Sequence, residues 1–132
     1  MIDPELSLAV AKVLIAAAWV DGVVQPEEEN FLKDFISRMP GIGEHTWEEL
    51  QPLIERPIYE AERIRLLRDM RNRIHDQKDR RFAIQAINQL FISDGEIAPE
   101  EEEAVKQMVT IVNGDESAVY QEMLKMIQRL AS

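Results

Sequence analysis

The sequence contains no cysteine, which excludes disulfides, thiolate metal sites and cysteine nucleophiles. Its two histidines, His45 and His75, are too few for a histidine-based zinc site. No apolar run approaches the roughly 18 residues that cross a bilayer. The opening Met1-Ile2-Asp3-Pro4-Glu5 has no basic region of the kind that begins a secretory signal, so a cytoplasmic protein is expected. No segment alternates apolar and polar residues long enough for a strand. There is no nucleophile elbow, phosphate loop or dinucleotide glycine pattern. A helical diiron site needs Glu-x-x-His pairs, but Ile42 and Asn72 stand three residues before the histidines. No catalytic residue is therefore expected, and the reading is non-enzymatic.

What is present fits a globular chain. Its 132 residues, 45% hydrophobic and 30% charged, make a single domain able to bury a core of its own. The net charge of −10 argues against nucleic acid as a partner, because phosphate contacts need basic surface. The charge is uneven. Eight of the fifteen basic residues fall within residues 63–81, while acidic clusters stand at residues 27–29 and 100–103.

One stretch occurs twice. Residues 21–29 read Asp-Gly-Val-Val-Gln-Pro-Glu-Glu-Glu, and residues 94–102 read Asp-Gly-Glu-Ile-Ala-Pro-Glu-Glu-Glu, at an offset of 73. Apolar runs precede and follow each copy. The pattern predicts an internal duplication of a helix–turn–helix unit, over about residues 5–39 and 79–113.

The punctuation divides the chain into about seven helices. The first opens at Asp3-Pro4, presents Leu6, Val10, Val13, Leu14 and Ala17 as its core stripe, and stops at Asp21-Gly22. The second starts at Pro26 with three glutamates in its first turn, where the helix dipole favours anions. Thr46 with Glu49 reads as a capping box for a short third helix. A fourth runs from about Tyr59 to Ile74, and a fifth carries Phe82, Ala83, Ala86, Ile87, Leu90 and Phe91. A sixth starts at Pro99, and a seventh carries Tyr120, Leu124 and Ile127. The expected fold is an all-α single-domain helical bundle, with two antiparallel pairs plus connectors.

The repeated turn carries the most chemistry. Asp21 and Asp94 each stand at the carboxyl end of a helix, where the dipole disfavours an anion. Either the aspartate bonds backbone amides ahead of it, or a cation reverses the local field. Glu28 and Glu101 follow seven residues later. Gly22, Val24 and Glu28, like Gly95, Ile97 and Glu101, match the back half of an EF-hand loop. The front half is missing, because Ala17, Trp19, Leu90 and Ile92 occupy its ligand positions. One unit alone supplies too few oxygens for calcium, whereas Asp21, Glu28, Asp94 and Glu101 together could hold one hard cation: calcium, magnesium or manganese. The alternative is a plain hairpin with an acidic helix start.

At these residues the chain resembles the tellurite-resistance TerB family and its wider TerB-like superfamily. The resemblance lies in an apolar helix ending in Asp-Gly, a five-residue gap to Glu, and a second amphipathic helix, all occurring twice. It implies a cytoplasmic helical bundle whose acidic residues bind a divalent metal, here Asp21, Glu28, Asp94 and Glu101. It also implies association with protein partners in stress-response or membrane-linked complexes.

A second reading starts from the clustered positive charge. Arg63, Arg65, Arg68, Arg71 and Arg73 would form the working part of a belt over residues 63–81. Such a belt would dock on an acidic protein or, peripherally, on an anionic membrane surface.

Overall fold

The computed structural model describes residues 4–39, 41–92 and 116–131. Among these residues there are six helices and no strand. They are α1 (Pro4–Ala18), α2 (Pro26–Ser37), α3 (Glu44–Glu55), α4 (Glu60–Asn72), α5 (Gln77–Ile92) and α6 (Glu116–Ala131). The expected helix from Pro99, and most of the second repeat unit, lie outside the described residues. The all-α class is as the sequence predicts.

The second of the two expected antiparallel pairs falls largely outside the described residues; among those described, one helix organises the packing. Helix α1 lies in the middle, and each of the other five helices packs on it. Its residues explain why. Leu6, Ala9, Val10, Ala11, Val13, Leu14, Ile15, Ala16, Ala17 and Ala18 are all buried, so apolar side chains cover the full circumference from Val13 to Ala18, and Glu5, Leu8 and Lys12 leave a less covered strip nearer the start. A helix apolar on every side must be enclosed rather than laid on a surface. The alanines keep the cylinder thin, which lets neighbouring backbones approach from several directions. The single stripe expected from spacing is thus one part of a helix buried on nearly every side.

The surrounding helices have one buried face each. Leu32 and Ile36 of α2 are buried, while Phe31 and Phe35 lie half-buried at its edge, ring centroids 5.8 Å apart. Helix α4 buries Leu66, Leu67 and Met70, and α5 buries Phe82, Ala83 and Ile87. Helix α6 buries Val119, Tyr120, Met123, Leu124, Met126 and Ile127, and packs against α1, α2, α4 and α5.

Helix α3 begins two residues before the expected cap. Gly43 is the N-cap and Thr46 occupies the third helical position, where its Oγ1 accepts the Gly43 amide at 3.2 Å. A side chain at that position reaching back to the cap is one half of a capping box. Pro52 lies inside α3, where it removes one helical hydrogen bond. The Trp19 indole Nε1 donates to the Leu53 carbonyl at 2.8 Å, pinning the end of α3 to the end of α1.

Tyr120 ties α6 to α4. Its ring is 1% exposed and its hydroxyl donates to the Arg63 carbonyl at 2.7 Å. Tyr120→Phe keeps the ring and removes the donor. It should lower stability by about 1 kcal/mol, the usual net worth of a buried hydrogen bond. Urea unfolding checks this, and an unchanged midpoint would show that the bond contributes nothing.

Candidate functional site

The first acidic turn is built by the way α1 ends. Past Ala18 the chain tightens, with the Trp19, Val20 and Gly22 amides bonding the Ala16, Ala17 and Trp19 carbonyls. Gly22 has φ +87°, a left-handed conformation that a side chain disfavours. The chain then reverses and enters α2 through Gln25, its N-cap, and Pro26. Proline suits this first position because its missing N–H has no helical partner there.

Asp21 sits exposed at the corner. Its Oδ1 accepts the Val23 amide at 3.3 Å, the local bond that the turn chemistry of aspartate predicts. Its Oδ2 accepts the Gln128 side-chain amide of α6 at 3.2 Å. These two bonds offset the cost of an anion at a helix carboxyl end.

Glu28 is different from its neighbours. Glu27 is exposed and Glu29 is partly exposed, but Glu28 is 5% exposed. It occupies the third position of α2, three residues past the Gln25 N-cap, where the nearby Gln25 backbone amide favours its ionised form. Its Oε2 is buried with no hydrogen-bond partner among the described residues. Burial chiefly, and then the charge of nearby Asp21, push the Glu28 carboxyl above the ordinary carboxylate range; the Gln25 amide pulls the other way. A buried carboxylate oxygen without a donor is costly, and the cost is concentrated beside a second carboxylate.

The structure therefore brings Asp21 and Glu28 into electrostatic contact. Asp94 and Glu101 lie outside the described residues. Among the described residues no three Asp, Glu or His side chains are grouped to hold a metal. His45 lines a cleft of about 200 Å³ between α1 and α3, with Glu5 and Glu49 among its neighbours. His75 lines another of about 280 Å³ at the α4–α5 turn, with Asp76 and Arg80. Neither cleft includes the acidic turn.

The arginines of α4 are turned to internal use. The Arg63 Nη1 donates to the Ile58 carbonyl at 2.8 Å. Arg65 pairs with Glu62 at 3.1 Å, while Arg73 pairs with Asp69 at 3.2 Å and with Glu5 of α1 at 2.7 Å. Arg71 is 6% exposed, so it is not part of a surface belt, which corrects the expectation that all five arginines face a partner. Arg68 is exposed. Among the described residues no helix is long and apolar enough to cross a membrane.

An all-helical domain wrapped on one buried helix, with an acidic turn where that helix ends, is the class defined by these observations. The family model described as Tellurite resistance protein TerB matches residues 7–123, and the chain belongs to that family. The match takes in Asp21 and Glu28 as well as Asp94 and Glu101. No curated protein and no solved structure matches the chain. Two features of the site escaped sequence reasoning. The burial of Glu28 alone among three consecutive glutamates was legible in principle from the helix period. Gln128 carried no signal, because its partner stands 107 residues away.

Proposed function

We propose that the chain is a non-enzymatic TerB domain that holds a divalent cation at its acidic turns, serving a stress or tellurite-resistance type of response in the cytoplasm. The observation that carries this is Glu28, whose buried Oε2 lacks a hydrogen-bond partner among the described residues while Asp21 lies close by. Two neighbouring carboxylates, one of them dehydrated, suit a hard cation such as calcium, magnesium or manganese, which takes oxygen ligands. Such a cation would supply the charge that both carboxylates lack as neighbours.

The duplication supports extending the site. On this reading Asp94 and Glu101 repeat Asp21 and Glu28, in a seven-helix chain made of two like units. Two carboxylates per unit are few, so the four act together on one ion. Isothermal titration of the full chain with each of the three cations tests the reading. One site per chain is expected, with affinity weakened at least tenfold in Asp94→Asn, a loss comparable to that of other site ligands. Absence of binding at millimolar cation would sink the proposal, and binding unchanged in Asp94→Asn would confine the site to the first turn.

The belt reading is less well supported, because Arg63, Arg65 and Arg73 have partners within the chain and Arg71 is buried. A protein partner would instead be recruited by the state of the acidic turns.

A further inference from the structure

Gln128 links the acidic turn to the carboxyl-terminal helix. Helix α6 packs against both α1 and α2, the two helices that the turn joins. From its last turns Gln128 reaches Asp21, with Nε2 donating to Oδ2 at 3.2 Å. The family match covers Asp21 and ends at residue 123, before Gln128.

We infer that Gln128 is a switchable arm of the acidic turn, donating an N–H to Asp21 in one state and presenting its amide oxygen to a divalent cation in the other. The inference rests on the cation reading above. A glutamine amide carries a donor and an acceptor on one planar group, and a half-turn of its terminal torsion exchanges them. The donor state is the one in the structure, since a carboxylate oxygen accepts and an N–H must face it. A hard cation beside Asp21 repels that N–H and attracts a carbonyl-type oxygen. The existing 3.2 Å separation already suits the exchange, because oxygens sharing a calcium at 2.3–2.6 Å lie about 3 Å apart. Asp21 and Glu28 repel each other, a bound cation offsets that repulsion, and an amide oxygen from α6 adds a further hard ligand beside them. Glu28 supplies the independent sign of a ligand site, being 5% exposed with Oε2 lacking a partner among the described residues.

The consequence is a signal path. Cation occupancy changes what α6 grips, so the end of α6 reports the state of the turn.

The test is titration of the full chain with calcium and with magnesium, comparing wild type, Gln128→Ala and Gln128→Glu, and following the Gln128 side-chain amide resonances by NMR. Gln128 is exposed, so neither variant disturbs the core. The inference predicts that Gln128→Ala weakens cation affinity about tenfold, that Gln128→Glu restores or tightens it, and that the wild-type amide pair shifts on saturation. Wild-type binding with equal affinity in Gln128→Ala and unmoved amide resonances would overturn this inference and leave the cation reading standing. No binding by the wild type would overturn both.

Discussion

Ala17→Asp abolishes cooperative folding. Ala17 is 0% exposed on a helix that five others enclose. A carboxylate there would enter the centre of the core, out of reach of water. Removing a charge from water without a partner costs several kcal/mol even after relaxation, and the extra volume overpacks a site sized for one methyl group. The expected loss is at least about 4–5 kcal/mol, comparable to the whole stability of a modest domain at about 5–15 kcal/mol. Circular dichroism should show a broad, non-cooperative melt. Lys12 supplies the internal control, since it is the partly exposed residue between the buried Ala11 and Val13. Lys12→Asp on the same helix should melt cooperatively. A sharp transition for Ala17→Asp near the wild-type temperature would show that α1 is not the centre of the fold.

The same helix shows how far a sequence can be read. Its ends were legible, because Pro4 and Gly22 mark them by backbone chemistry alone. Its role was not. Leu6, Val10, Val13, Leu14 and Ala17 satisfy a one-face stripe, yet Ala9, Ala11, Ile15, Ala16 and Ala18 are buried too. Small residues fit either a thin exposed flank or a crowded centre, and only the positions of the other helices decide which. Helix α3 shows a smaller ambiguity. Thr46 with Glu49 fits a capping box that starts at Thr46, but the same threonine at the third helical position serves equally well by reaching back to Gly43. Arg71 is a third kind of case. A charged residue in a basic run reads as surface, and its burial at 6% exposure depends on how α4 is rotated against the core.

The acidic turn was legible as a motif and not as a geometry. Repetition singled out Asp21 and Glu28, and the helix period sets Glu28, not Glu27, on the face of the buried Leu32 and Ile36, yet the period alone does not say how completely that position is covered. The distinction came from the tertiary fold, which covers one of them and leaves the other in water. Asp21 was set against its helix dipole in the sequence, and the structure supplies the compensation through the Val23 amide and Gln128. The local explanation therefore holds for Asp21, and the unexplained charge is Glu28.

Glu28→Gln should make the cation-free protein more stable and the cation-loaded protein less stable than wild type. Burial and Asp21 raise the Glu28 pKa above its ordinary 4.5, so the folded state holds this proton more tightly than the unfolded chain. Stability from that proton is complete below the ordinary value and is lost as pH rises through the raised folded value. At neutral pH the ionised carboxylate is thus a cost. Glutamine removes the charge and keeps the shape of the side chain, giving a gain of about 1 kcal/mol. For a domain of this size that is roughly 3–5 °C in Tm. The gain should shrink as pH falls through the raised folded value toward the ordinary one, below which wild-type Glu28 is protonated as well. Cation reverses the order. At a concentration of 100 Kd it stabilises wild type by about 2.7 kcal/mol, and a variant that has lost a ligand carboxylate receives little of this. Thermal melts of both proteins, in chelator and in excess calcium or manganese, separate the two effects. If Glu28→Gln melts lower than wild type in chelator at neutral pH, the carboxylate has a favourable partner inside the fold and is not waiting for a cation. If the two curves keep the same order with and without metal, the acidic turn is a structural cap alone.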